Sequence, residues 1–403
     1  MWFRCFLYCL FALASFFVGS GVGEYVPDSV KNIVTKDGLN NLLTILASSM
    51  LAVTTFSLSI MVQAFSAAAT TATPRANKLL MEDSTAQNAL GTFIGAFLFS
   101  IVGIIGINSN FYDQNIVVVL FVFTIIMILV IVVMLLKWID QLSRLGRVTE
   151  TIDLVDKALE QALKKRGENP FMGANKLAQD FNSLQNSLHP VIADEIGYVQ
   201  FIDVEMLENL ACKHGVKIYV AVNPGKFLDG TTSLAFIDKE FDDDTRRCVL
   251  EAIVVGGNRT FDQDPRYGFI LLSEIALRAL SPAINDPGTA IDIIGSYIRG
   301  VMLWQTISKK HEEVLEDREI KYPHVYIPSI IEKDIFEDMY AGLIPAASEH
   351  ITVSIRLKKS LLTFKTLKNK NLSDNADSWL TYLESLCEEK LHRSDFEKIK
   401  SVK

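Results

Sequence analysis

The run from Val117 to Leu136, VVVLFVFTIIMILVIVVMLL, holds no charged residue and a single hydroxyl, Thr124. A helix of that composition has no face that water would solvate, and about 20 such residues cross the hydrocarbon of a bilayer. Three more stretches reach that length: about Trp2 to Val22, about Leu42 to Thr70 and about Leu90 to Ile107. Only 11 of the chain's Asp, Glu, Lys and Arg residues precede Lys137, so the 403 residues divide into an apolar N-terminal third and a water-compatible remainder. With 49% hydrophobic residues against 21% charged, the whole is too apolar for a soluble protein. A net charge of −8 leaves no basic surface to displace counterions, which excludes nucleic acid as a partner class. Five cysteines (Cys5, Cys9, Cys212, Cys248 and Cys387) form no CxxC pair and are too sparse for a disulfide framework, so reduced, cytosolic chemistry is expected for the soluble part.

Arg4 ahead of a short apolar run gives the first stretch the look of a signal peptide, yet its removal would leave an odd number of spans. It is therefore expected to stay. With four spans, Arg4, Arg75, Lys78, Lys137, Arg144 and Arg147 fall on one side, against Lys31 and Lys36 on the other. This predicts a multi-pass protein of the bacterial cytoplasmic (inner) membrane with both termini in the cytoplasm.

The second span differs from a plain anchor. Thr44, Ser48, Thr55, Ser59, Gln63, Ser66 and Thr70 fall within an arc of about 100° on a helix, with Ala52 inside it. Hydroxyls of this kind can bond to the carbonyl a turn back, and small residues let helices approach closely. They can also hydrate a passing ion without trapping it, and the carboxamide of Gln63 demands a partner or water. Ser48, Thr55, Ser59, Gln63 and Ser66 are the candidate pore-lining residues. One helix per chain cannot enclose a pore, so this reading requires a homo-oligomer. Gly91 and Gly95 of the third span add a GxxxG pair suited to close helix contact.

Beyond the membrane, Ile152, Val155, Leu159 and Leu163 form an apolar stripe over Thr149 to Lys165, and a second helix is expected from about Lys176 to Leu188. GYVQFID alternates as a strand, a short helix runs from about Val204 to His214, and VKIYVAV and TSLAFID read as strands around an Asn-Pro-Gly turn. This cadence resembles the biotinyl-lipoyl barrel in pattern, without the methionine-flanked lysine that carries its cofactor, so no cofactor is expected and the segment reads as a small β-barrel or sandwich. CVLEAIVVG reads as a buried-face helix. The fold class is thus an α-helical membrane domain of four spans with a cytoplasmic α+β domain. Its expected parts are a transmembrane domain over 1–140, a helical stalk over 141–190, a β-rich domain over 191–240, a helical domain over 241–350 and a helical C-terminal segment over 351–403.

Residues 256–292 carry the densest set of charges inside apolar sequence. Arg259, Asp262, Asp264 and Arg266 share one loop, Glu274 and Arg278 sit at i,i+4 on a helix, Pro282 ends it, and Asp286 precedes Pro287 at the start of the next. Caps, an intrahelical pair and solvated loop charges account for much of this, and a salt-bridge network or ligand site for the rest. GTFIGAF, TPRA at Thr73 to Ala76, GYVQFID, RTFDQDPRYGF and LSEIALRALSPAINDPGTA together resemble a bacterial family of predicted multi-pass membrane proteins known as domain of unknown function 2254, over roughly residues 2–350. The resemblance implies four spans and a cytoplasmic domain and brings no catalytic residues.

Two functions compete. One is an oligomeric channel or transporter; the alternative is a membrane-bound ligand sensor or enzyme using the Arg259–Asp262–Asp264–Arg266 loop, with a recruiting scaffold as a third. No HExxH, HxH, GxSxG or GxxxxGK[ST] occurs, so no catalytic residue and no metal ligand is assigned, and the arginines around Asp262 and Asp264 oppose a cation there. The ion or ligand is not named by the residues.

Overall fold

The computed structural model describes residues 34–81, 84–109, 112–178, 181–314 and 320–402, with scattered positions from 6 to 21. The chain divides into two compact units, Met1–Thr70 with Pro74–Thr151, and Thr71–Thr73 with Ile152–Lys403.

In the first unit, α1 (Lys36–Thr71), α2 (Ser84–Asn108) and α3 (Gln114–Arg144) are built from the second, third and fourth apolar stretches. Three helices long and apolar enough to cross a membrane lie among the described residues. The first stretch, about Trp2 to Val22, lies largely outside them, although the ring of Phe11 rests 4.6 Å from that of Phe123. Leu43, Phe93, Phe99, Leu120 and Met127 are buried at the centre of the unit. Glycine is required where elements touch: a Cβ on Gly106 would enter the ring of Tyr112, and one on Gly103 would meet Leu43 at 2.9 Å. Gly91 and Gly95 are both buried, so the GxxxG pair is used inside the chain. Hydroxyls within the apolar helices are satisfied by their own backbone, as in Ser100 to the carbonyl of Ala96 (2.8 Å) and Thr124 to that of Leu120 (2.8 Å).

The second unit begins on α4 (Val148–Glu168), whose Ile152, Val155, Leu159 and Leu163 are buried as their spacing predicts. The expected helix from Lys176 to Leu188 is a correction. Its start belongs to strand β1 (Ala174–Lys176), and the only helical turns described there are Phe181–Leu184 and Gln185–Ser187. β2 (His189–Ile192) and β3 (Ile196–Ile202) follow. α5 (Val204–His214) is capped at one end by the Asp203 carboxylate, which accepts from the Met206 amide, and at the other by left-handed Gly215. Then come β4 (Ile218–Val220), β5 (Phe227–Asp229), β6 (Ser233–Ile237), α6 (Asp243–Ala252) and β7 (Ile253–Gly256). The expected CVLEAIVVG helix stops at Ala252, and the β-branched run after it is strand β7.

A closed barrel does not form among the described residues. The strands make two open sheets: five strands in the order β1-β8-β4-β6-β2, where β8 is Tyr322–Ile327, and three in the order β5-β3-β7. Two interactions break the hairpin that the barrel pattern implies. The Asn-Pro-Gly turn docks on the other sheet, the Gly225 amide donating to the Val199 carbonyl (2.7 Å) and the Val199 amide to that of Lys226 (2.9 Å). The free edge of β4 is taken by β8, which runs parallel to it from about a hundred residues downstream in the chain. Both sheets, α5 and α6 share one core that includes Val199, Leu207, Ile218, Leu228 and Val249.

The remainder is helical: α7 (Arg266–Ala279), α8 (Pro287–Val314), α9 (Glu332–Tyr340), α10 (Leu343–Ala347), α11 (Ile351–Lys365), α12 (Lys370–Lys390) and α13 (Arg393–Lys400). α8 begins at Pro287, where proline's missing N–H costs nothing.

Candidate functional site

On α1 the burial pattern divides the helix lengthwise. Leu39, Leu43, Ala47, Met50, Ser57, Met61, Ala64 and Ala68 are buried, and they occupy the arc opposite the polar stripe. Thr44, Ser48, Thr55, Ser59, Gln63, Ser66 and Thr70 are all exposed on the surface of the single chain. Their hydroxyls are partly spent on the helix itself: Thr44 donates to the Asn40 carbonyl, Ser48 to Thr44, Thr55 to Ala52 and Thr70 to Ala67. No side-chain hydrogen bond of Gln63 occurs among the described residues. The hydroxyl that does serve the bundle is Ser57, 1% exposed, which accepts from the Trp138 indole N–H at 2.8 Å.

In the second unit, the loop before α7 gathers part of the charge set that the sequence singles out. The Arg259 guanidinium holds the Asp264 carboxylate through Nε (2.7 Å) and Nη2 (2.6 Å). Arg266, at the start of α7, grips Asp338 of α9 through two nitrogens (2.7 and 3.1 Å) and Asp334 through a third (2.6 Å). Sequence spacing gave no hint of Asp334 and Asp338. It also missed Arg166, near the end of α4, which is 8% exposed and reaches the Asn223 carboxamide oxygen at 3.4 Å. The Nη1 of Arg166 and the Oδ1 of Asp264 are buried without a hydrogen-bond partner, and both residues line a cavity of about 10 Å³ with Asn223, Gln263 and Arg266. Burial outweighs the attraction of Arg259 and raises the Asp264 pKa to about 6, while desolvation lowers that of Arg166 to about 10. Gly225 closes over this group at φ +87°, where a Cβ would strike both Asp264 and Arg259.

The other members lie apart from it in role. The Asp262 side chain is exposed, and its carbonyl accepts from Lys165 at 3.1 Å. Glu274 accepts from the Thr73 hydroxyl at 2.9 Å, Arg278 is half-buried on the same helix, and Asp286 caps α8 by accepting from the Thr289 amide (3.1 Å) and hydroxyl (2.7 Å). Gln263 works as a splint, its carboxamide pairing with both the N–H and the C=O of Ile202 (2.8 and 3.1 Å).

A second cluster has no signal in local sequence spacing. Glu208 and Cys212, one turn apart on α5, meet His324 of β8, and their donor atoms lie within 4.8 Å of one another. This is a metal-capable group among the described residues that a search for HExxH or CxxC motifs passes over.

No solved structure is significantly similar to this chain. Uncharacterized proteins of Mycobacterium bovis and Mycobacterium tuberculosis are each 33% identical to it over 112 residues, which is 26% of this chain. The match spans only 21% of the length of those curated relatives. A family model described as "Predicted membrane protein (DUF2254)" matches residues 1–363, most of the chain. The apolar helices of the first unit fit that description, and the chain belongs to the DUF2254 family of predicted membrane proteins.

Proposed function

We propose that the chain is one subunit of an oligomeric channel or transporter, with the polar face of α1 directed at a shared aqueous path. The observation that carries this reading is the position of the stripe. Packing within the chain buries the opposite face of α1 and leaves all seven polar residues outward. Had hydroxyls and small residues served helix contact inside the bundle, the stripe would be the buried face. Gln63 weighs most, because a carboxamide facing hydrocarbon is costly, whereas in a ring of copies it meets water or its symmetry mates. In this reading there are four spans, the termini lie in the cytoplasm and the membrane is the bacterial inner membrane. The ligand-sensor or enzyme alternative has less support, since Arg259, Asp264 and Arg266 are engaged with carboxylates or guanidinium of their own chain.

Single cysteines in the intact, detergent-purified complex test the proposal. At Ser48, Thr55, Ser59, Gln63 and Ser66 they should react with small membrane-impermeant thiol reagents, and at buried Met50 and Ser57 they should not. Uniform protection of the striped face would end the channel reading.

A further inference from the structure

We infer that Glu208, Cys212 and His324 form a binding site for a divalent transition-metal ion of the zinc class. The site lies on the second unit and does not depend on the channel proposal. The ligands come from two elements held by the same core: Glu208 and Cys212 project from one face of α5, and β8 carries His324 across from them. His324 Nδ1 is 2.7 Å from Glu208 Oε1, Cys212 Sγ is 3.4 Å from that oxygen, and Sγ lies 3.6 Å from Nδ1. Zinc bonds of about 2.0–2.3 Å in a tetrahedron put neighbouring ligand atoms about 3.3–3.7 Å apart. Both sulfur distances already match, and only the carboxylate–imidazole pair must open, by less than about 1 Å.

The carboxylate is held in place for this task. Its second oxygen, Oε2, accepts the backbone N–H of His324 at 3.0 Å, which fixes the Glu208 side chain and leaves Oε1 turned to the other two ligands. Glu208 is buried, His324 is partly exposed and Cys212 is exposed, so the trio opens to solvent on one side, where water can take a fourth position. Thiolate, imidazole and carboxylate together favour zinc-class ions over magnesium or calcium, which take oxygen ligands.

Charge points the same way. In the metal-free site the Cys212 thiol donates to Glu208 Oε1. On binding, the S–H bond breaks, sulfur donates its electron pair to the metal and the proton leaves to solvent. The hydrogen that Nδ1 shares with Glu208 Oε1 in the metal-free site leaves that nitrogen, and the imidazole that binds the ion through Nδ1 carries its hydrogen on Nε2. One carboxylate, one thiolate and a dication sum to zero, so the filled site carries no net charge. A stacked pair of helix and strand ligands also gives the ion a structural consequence: it would cross-link α5 to β8.

The test uses the full chain in detergent with Zn²⁺ alone, in competition with a chromogenic chelator. One zinc per chain is expected, with Cys212→Ser and His324→Gln each weakening binding by about 10-fold or more. Co²⁺ should give a thiolate-to-cobalt charge-transfer band that Cys212→Ser abolishes and Cys248→Ser retains. Both substituted ligands have solvent on one side, and unchanged melting of the metal-free variants will show that they fold. Failure to bind zinc, affinity unchanged in either variant, or no charge-transfer band would overturn the assignment.

Discussion

The Asp264 carboxyl gives up water on burial and recovers one ion pair, to Arg259, while its other oxygen is left unpartnered. Its pKa rises from 3.8 to about 6, so between those values the folded state binds a proton that the unfolded state has released. The sign follows directly: stability from this group is fullest below about pH 4 and is lost as pH rises toward 6. The stability of the protein relative to an Asp264→Asn variant should accordingly fall across that window, as read from melting of the second unit at each pH. A difference independent of pH would show that the carboxyl ionises normally in the fold. Arg259, Asp264 and Arg266 were legible as a charge set because they stand within eight residues of one another in an otherwise apolar segment. Their partners were not, since Arg166, Asp334 and Asp338 are joined to them only by the packing of α4, α7 and α9. Glu208, Cys212 and His324 were hidden for the same reason, with more than a hundred residues between the helix and the strand.

At the scale of the element, α1 shows which half of a helix a sequence can interpret. The stripe was visible from periodicity alone, yet periodicity could not say whether it turned toward the bundle or away. Ser57 decides that, because its hydroxyl is the acceptor for Trp138 on the buried side. Ser57→Ala should cost about 1–3 kcal/mol by orphaning the indole N–H, whereas Ser59→Ala, on the exposed face, should leave the stability of an isolated subunit nearly unchanged. Chemical or thermal unfolding of both variants in detergent checks this, and equal effects would contradict the burial pattern. α5 was readable to the residue because both of its ends are local chemistry, an Asp cap and a left-handed glycine. The Ile253–Gly256 strand was misread as helix because a short apolar run carries no period of its own and takes its conformation from the neighbour, β3, that it pairs with.

For the whole molecule, the apolar third and the water-compatible remainder were plain from the placement of charge, and the first unit's three described apolar helices follow it. What composition could not convey is copy number. If α1 lines a shared path, the detergent-solubilised protein should have the mass of a closed ring of several chains, measured by light scattering corrected for detergent or by native mass spectrometry. A monomer under mild extraction would leave the stripe without an axis to face. The barrel expectation failed at this scale too, because the strand that takes the free edge of β4 is β8, which lies outside the segment that carries the barrel pattern.

That late arrival bears on how the protein is made. Among the described residues β1 has no sheet partner other than β8, and β4 pairs on that side with β8 as well, so the five-stranded sheet stays incomplete until Tyr322–Ile327 has been synthesised. During translation the nascent chain must carry an open strand edge through all of α6, β7, α7 and α8 before the closing strand emerges, a long-range pairing of the slow-forming kind. A ribosome that stalls within α8 would therefore release a chain whose β4 edge invites pairing with its neighbours, making this stretch of synthesis the interval in which a chaperone has most to protect.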